Sequence, residues 1–272
     1  MSDYIFEDAE SRREIERLRA IEAIFDPRTQ SHLEATGDWA GRLCLEVGAG
    51  AGSIAAWMAS RAGPTGRVTA VDVRTRFLAP LGSSVDVVEG DIRKLDLASP
   101  GFDVSHARYV VIHNTGAPEV LDAIVGLTKP GGWILIEEPD FSVARPLAGP
   151  AALVRAFEQV CLAIDRTFAA HGLDHAFGRR LPALLDERGV EIVAVDHEAP
   201  AVPGGTPIAN MMSLSGAQLR QKYVATGVVT DEGVGLYREF AATPSCWAVY
   251  YSTVRVLARR PPEAMRGTGP TR

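Results

Sequence analysis

The chain has 272 residues, of which 46% are hydrophobic and 23% charged, and its formal net charge is −6. This suits one large α/β domain, or one with a helical insertion, and excludes wholesale disorder away from the ends. A negative chain also lacks the strong positive field that gathers phosphates, which argues against a nucleic-acid partner.

Three cysteines, Cys44, Cys161 and Cys246, form no C-x-x-C pair. An odd, scattered set argues against a disulfide framework or a structural zinc and fits a reducing cytoplasm. Met1 to Glu16 is charged rather than apolar, so no signal segment is expected. No apolar run approaches the roughly 18–20 residues that span a bilayer, so no membrane partner is expected.

In chain order, residues 7–25 read as a helix with Ile15, Leu18, Ile21 and Phe25 at helical spacing, stopped by Asp26-Pro27. Arg42 to Val47 reads as a buried strand ending in glycines, and Ser53 to Arg61 as a helix closed by Gly63-Pro64. Arg67–Asp72, Val85–Glu89 and Phe102–Ala107 read as strands, and Pro118–Thr128 as a helix. Lys129-Pro130-Gly131-Gly132 predicts a tight turn into a fifth strand, Trp133–Glu137. Strands alternating with helices mean βαβ units and a mostly parallel sheet. Beyond it, helices are expected over Pro150–Ala170 and Arg180–Glu187, a sixth strand over Glu191–Asp196, a helical stretch near Ala209–Ala225 and a final strand over Trp247–Ala258. About 50 residues between the last two strands read as a lid or substrate wall.

The chemistry gathers at three strand ends. Gly48-Ala49-Gly50-Ala51-Gly52 follows the first strand, where glycines permit a sharp turn and close approach of a ligand. The second strand ends in Asp72, placed to accept from ribose hydroxyls. Such a pair also fits a dinucleotide enzyme, but Ser53 stands where G-x-G-x-x-G wants its third glycine. The third strand leads into Gly90-Asp91-Ile92, a carboxylate for an adenine amine beside an aliphatic cover for the ring. Together these tips trace a nucleoside across the carboxyl edge of the sheet.

With Val71-Asp72-Val73, Phe102-Asp103-Val104 and Lys129-Pro130-Gly131-Gly132, residues 42–138 resemble the cofactor half of class I S-adenosylmethionine-dependent methyltransferases. The nearest subgroup is bacterial small-molecule enzymes similar to quinone C-methyltransferases and natural-product methyltransferases. The resemblance implies a Rossmann-like, seven-stranded, mostly parallel α/β sheet with helices on both faces, an antiparallel last strand and helical lid insertions. It implies one methyltransferase domain over 1–260: an N-terminal helical lid (1–40), a cofactor core (41–140), substrate-side helices (141–245) and a last strand (246–258), before a flexible tail (261–272). S-adenosylmethionine would meet Glu46 at its amino end, Gly48, Ala49, Gly50 and Gly52 beneath, Asp72 at the ribose, and Val73, Ile92 and Asp91 around adenine. The Ala107 carbonyl would take the ammonium, and Tyr4, Phe6 and the first helix would close over the cofactor, with simple packing of an edge helix as the alternative.

For the acceptor, a small apolar or aromatic molecule, His113 is the candidate general base, against packing beneath the next helix as the alternative. His106 reads as structural. Arg108 reads as a rim cation for a carboxylate, or as solvated. Glu137, Glu138 and Asp140 read as a solvated loop with a cap, and no metal is expected. In-line positioning supplies about 7–11 kcal/mol and a base about 10²- to 10⁴-fold, so transfer can proceed with little acid–base help. Phe157, Phe168, Phe177, Met211, Met212, Tyr223, Phe240, Trp247 and Tyr250 suit either a flat acceptor or an ordinary core. An NAD(P)-dependent oxidoreductase and a non-methylating cofactor-binding relative stand as alternatives. Oligomeric state is open, although exchange of the N-terminal helix between chains would give a homodimer.

Overall fold

Short apolar segments separated by glycine turns build the sheet. In the computed structural model the described residues are 11–78, 81–97 and 101–262, so Tyr4, Phe6 and residues 263–272 lie outside them. Among the described residues, seven strands form one sheet in the order β3-β2-β1-β4-β5-β10-β7. These are β1 (Leu43–Val47), β2 (Arg67–Asp72), β3 (Val85–Glu89), β4 (Phe102–Arg108), β5 (Thr128–Asp140), β7 (Glu191–Glu198) and β10 (Ser252–Arg259). The first five pair in parallel, and β10 runs antiparallel between β5 and β7. Three further strands, β6 (Arg145–Ala148), β8 (Ala201–Pro203) and β9 (Trp247–Val249), make a small antiparallel sheet.

Alternation along the strands feeds two cores. Leu45, Ile134 and Ile136 join the larger one, while Cys44, Val104 and Leu135 join a smaller one with Met58 and Trp39. The helices are α1 (Ser11–Glu34), α2 (Ser53–Ala62), α3 (Ala117–Leu127), α4 (Ala151–Ala170), α5 (Leu181–Asp186), α6 (Pro207–Gln218), α7 (Arg220–Ala225) and α8 (Asp231–Ala242).

Three elements differ from expectation. The first helix does not stop at Asp26-Pro27 but carries Pro27 inside and runs to Glu34. Its second half is pinned by tertiary contacts: Arg108 donates to Asp26 at 2.8 Å, Thr29 donates to Glu137 at 2.6 Å, and Leu33 is fully buried. Such anchoring outweighs the roughly 3 kcal/mol that an interior proline costs. The Lys129–Gly132 segment is absorbed into β5 as an irregularity in its pairing with β4. The last predicted strand is two, because the chain leaves β9 in the small sheet and enters β10 in the large one across buried Tyr250 and Tyr251. Within the long connection, α8 is an element the sequence reading did not contain.

Candidate functional site

The turn after β1 is built by glycines in left-handed conformation, with φ of +69° at Gly48, +59° at Gly50 and +94° at Gly52. A Cβ on Gly48 would lie 2.1 Å from Val110 Cγ2, so only glycine lets this turn meet the segment after β4. Asp72, at the tip of β2, accepts the N–H of Gly50 and that of Arg74, each at 2.9 Å. Burial raises its carboxyl above the ordinary value against the pull of these donors. At the third tip, Arg93 grips Asp91 through Nε and Nη2, the latter at 2.7 Å, and this holds the carboxyl below its usual range. Ile92 beside it is buried.

The segment after β4 is shaped by a buried carboxylate. Glu138 accepts the N–H groups of Val110 (3.1 Å), Val111 (2.7 Å) and Ile112 (3.2 Å). Burial pushes this carboxyl up to about 8, opposed by those three donors. The clasp fixes Tyr109 at φ +58°, a strained value for a non-glycine residue. Beneath it runs a chain of buried titratable groups. His106 Nδ1 meets Glu46 at 2.7 Å, its Nε2 lies 3.4 Å from Glu137, and Arg255 donates to Glu137 at 2.8 Å. Burial disfavours charge on His106, but the two glutamates outweigh it and hold the imidazole up to about 9.

One cavity of about 370 Å³ runs from the strand tips to the helices beyond. Its floor is Glu46, Gly48, Ala49, Gly50, Asp72, Val73, Asp91 and Ile92, its roof is Glu14, Arg17, Leu18, Ile21 and Glu22 of α1, and its far wall includes Phe141, Ile164, Phe168, Met211, Met212 and Tyr223. The volume suits a ligand of cofactor size. At the head of α2 the N-cap is Gly52, which has no side chain to offer, and Glu22 instead accepts the Ser53 N–H at 3.1 Å. A pyrophosphate would require that helix end. Here the protein's own carboxylate holds it, which suits a nucleoside without phosphates.

A family model for a methyltransferase domain matches residues 45–136. Methyltransferase str3 of Strobilurus tenacellus is 31% identical over 176 residues, 62% of this chain and 62% of that protein, so the match spans under two thirds of either. Methyltransferase str2 of the same organism is 28% identical over 233 residues, covering 79% of this chain and 82% of that one. Residues 45–136 thus match a methyltransferase domain, and the chain is similar to methyltransferases beyond it. Among solved structures, phosphoethanolamine N-methyltransferase 2 of Haemonchus contortus in complex with S-adenosyl-L-methionine is 17% identical, with a TM-score of 0.54 over 90% of this chain and 56% of that one. At that identity the likeness is one of fold.

Most of the residues expected to meet the cofactor lie around this one cavity. Glu46, Gly48, Ala49, Gly50, Asp72, Val73, Asp91, Ile92, Arg108 and His113 line the cavity. Gly52 and Ala107 do not. A Cβ on Gly52 would come within about 3.0 Å of Leu81, so this glycine serves the packing of α2, and Ala107 is fully buried in β4. Arg108 is no solvated rim cation, since it ties α1 down through Asp26 and Thr29. Glu137, Glu138 and Asp140 are buried rather than solvated, Glu137 and Glu138 because their partners lie inside the fold. Asp140 does cap the following turn, accepting the Ser142 N–H at 2.8 Å. An N-terminal helical lid was expected, but Glu14, Arg17 and Glu22 of α1 were not named as lining the cavity. Their signal was the spacing of Glu14, Arg17, Ile21 and Phe25, which puts two charged residues on the apolar face.

No helix among the described residues is long and apolar enough to cross a membrane. Among the same residues, no three His, Cys, Asp or Glu side chains are grouped to hold a metal.

Proposed function

We propose that this protein transfers the methyl group of S-adenosylmethionine to a small, flat, largely apolar acceptor. The observation that carries the reading is the single cavity joining the three strand tips to the apolar wall of α4, α6 and α7. When bound, the cofactor supplies an electrophilic methyl on a positively charged sulfur. Asp72 accepts from the ribose hydroxyls, and Asp91, kept ionised by Arg93, accepts from the adenine amine while Ile92 covers the ring. Glu46, set by His106, faces the methionine amino end. Phe141, Phe168, Met211 and Met212 exclude water and align the acceptor, and α1 roofs the site. A neutral His113 at the junction orients the acceptor as a hydrogen-bond partner rather than as a strong base, since burial and Arg17 press its ring down to about 3.

A net charge of −6 and a cavity roofed by α1 favour a small molecule over a nucleic acid. Free Cys44, Cys161 and Cys246 suit a reducing cytoplasm. Calorimetry with S-adenosylhomocysteine and NADH tests the reading. The former should bind, Asp72→Ala and Asp91→Ala should each weaken it about 10- to 100-fold through loss of charged hydrogen bonds, and NADH should not bind. Unchanged affinity in both variants would remove the assignment.

A further inference from the structure

His106 lies wholly inside the fold with a carboxylate at each ring nitrogen, Glu46 at Nδ1 (2.7 Å) and Glu137 at Nε2 (3.4 Å). A neutral imidazole has one bare nitrogen, which would face a carboxylate oxygen with no proton between them. The row therefore keeps an extra proton, and Glu46 and His106 share it as one coupled pair. Burial raises the Glu46 carboxyl; it also works against charge on the ring, yet the two glutamates hold His106 up to about 9.

The elements packed around the ring bring their own charges. Besides Glu46 of β1 and Glu137 of β5, Arg255 of β10 donates to Glu137, and Arg108 of β4 binds Asp26 and Thr29 of α1. Asp196 and Glu198 reach Arg255 from the side nearer solvent. Tyr109, pushed up by burial, stays neutral. In the buried cluster His106, Arg108 and Arg255 balance Glu46, Glu137 and Asp26 only while the extra proton stays.

Glu46 also borders the cavity. His106 takes its Oε2, and its Oε1 accepts from no described residue. The other lining acids differ. Both oxygens of Glu14 meet Arg17, both of Asp91 meet Arg93, and those of Asp72 accept backbone N–H groups. Glu22 holds Ser53 through one oxygen and has no histidine bonded to it. Among the lining cations, Arg74 and Lys94 stand by Asp72 and Asp91 at the nucleoside end. A cation brought to Glu46 therefore meets a carboxylate whose present counter-charge is a removable proton.

We propose, resting on the methyl-transfer reading above, that the ammonium of the cofactor's amino-acid arm docks on Glu46 Oε1 and displaces one proton from the Glu46–His106 pair to solvent, so that cofactor binding strengthens as pH rises. The ammonium keeps its protons. The pair loses the one it shared, from ring or carboxyl, and the charge of the cluster is unchanged. His106 acts through Glu46 and is a positioning residue.

Calorimetry at pH 7.5 in two buffers of different ionisation enthalpy counts the protons exchanged. S-adenosylhomocysteine is compared with 5′-methylthioadenosine, which lacks the amino-acid arm, and with decarboxylated S-adenosylhomocysteine, which keeps the ammonium alone. An added charge about 4–6 Å away moves a titrating group by about one to three on the pH scale, so each ammonium ligand should release about 0.2–0.9 of a proton more than 5′-methylthioadenosine. From pH 6 to pH 8 their affinity should rise about 2- to 50-fold relative to it. Glu46→Gln should remove the excess release and weaken S-adenosylhomocysteine about tenfold, and it decides the matter should 5′-methylthioadenosine fail to bind; the three ligands decide it should the variant fail to fold. The proposal is overturned by equal release from 5′-methylthioadenosine, by release that survives Glu46→Gln, or by release that the decarboxylated ligand does not share. Bound S-adenosylhomocysteine without excess release removes this proposal alone; loss of that binding in the unaltered protein removes the methyl-transfer reading with it.

Discussion

Glu22, on the helix that roofs the cavity, accepts the backbone N–H of Ser53 across 31 positions of sequence at a distance of 3.1 Å. The contact caps α2 from outside, because Gly52 is the N-cap, and it fastens the roof to the glycine loop. A carboxylate at a helix N-terminus contributes about 0.3–1 kcal/mol, and the hydrogen bond adds a similar amount. Glu22→Ala should therefore lower stability by about 1–2 kcal/mol. Hydrogen exchange should quicken at the first turns of α1 and α2 while amides of β1 and β4 keep their protection; equal loosening of the sheet would contradict this division.

Gly48→Ala should be far more damaging than its size suggests. The added carbon meets Val110 Cγ2 at 2.1 Å, and the backbone sits at φ +69°. Left-handed strain of about 1–2 kcal/mol and an overpacking penalty of about 1–3 kcal/mol act together. At about 2–4 °C per kcal/mol the melting temperature should fall by several degrees, and S-adenosylhomocysteine affinity should fall with it. A variant with native melting and binding would mean that the turn and Val110 do not touch.

Stability should fall as the solution becomes alkaline. His106 is held up to about 9, above its ordinary 6.5, by Glu46 and Glu137 against the effect of burial. A group raised on folding gives its full stabilisation below 6.5 and loses it as pH climbs through 9. Glu137 moves the other way, down to about 2, because His106, Arg108 and Arg255 overcome its burial, so its contribution is lost only as pH falls towards that value. Melting temperature measured from pH 6 to pH 10 should drop across the upper half of the range. His106→Gln should flatten that drop; a variant keeping the full slope would assign it elsewhere.

Glu138→Gln tests the clasp after β4. An amide must turn its NH2 towards one of the N–H groups of Val110, Val111 and Ile112. Leaving a buried donor unmatched costs about 1–3 kcal/mol. Glu138→Gln should lower the melting temperature and weaken S-adenosylhomocysteine binding, since Tyr109 and His113 lose their fixed positions. Native behaviour of the variant would show the clasp to be dispensable.

The sequence made the β1–β5 core and its tips readable because strand, glycine turn and carboxylate recur at fixed intervals. It did not reveal that Glu137 and Glu138 are buried. A run of acids reads as solvated until its partners are known, and those partners, Arg255 and the Val110–Ile112 amides, lie elsewhere in the chain. The far half of the roof helix failed to show for a similar reason. Pro27 is a reliable stop signal locally, and only the contacts of Asp26, Thr29 and Leu33 carry the helix past it. The break at Tyr250 and Tyr251 was hidden because one continuous strand-like run, Trp247 to Ala258, serves two sheets.

Pro27 also divides the labour within α1. Lacking an N–H, it cannot bond the carbonyl one turn earlier. The helix is thus weakest between the half riveted to the sheet through Thr29 and the half that spans the cavity. The strands keep their pairing whichever way that leading half is held, so the roof's own stability is a separate quantity from that of the sheet.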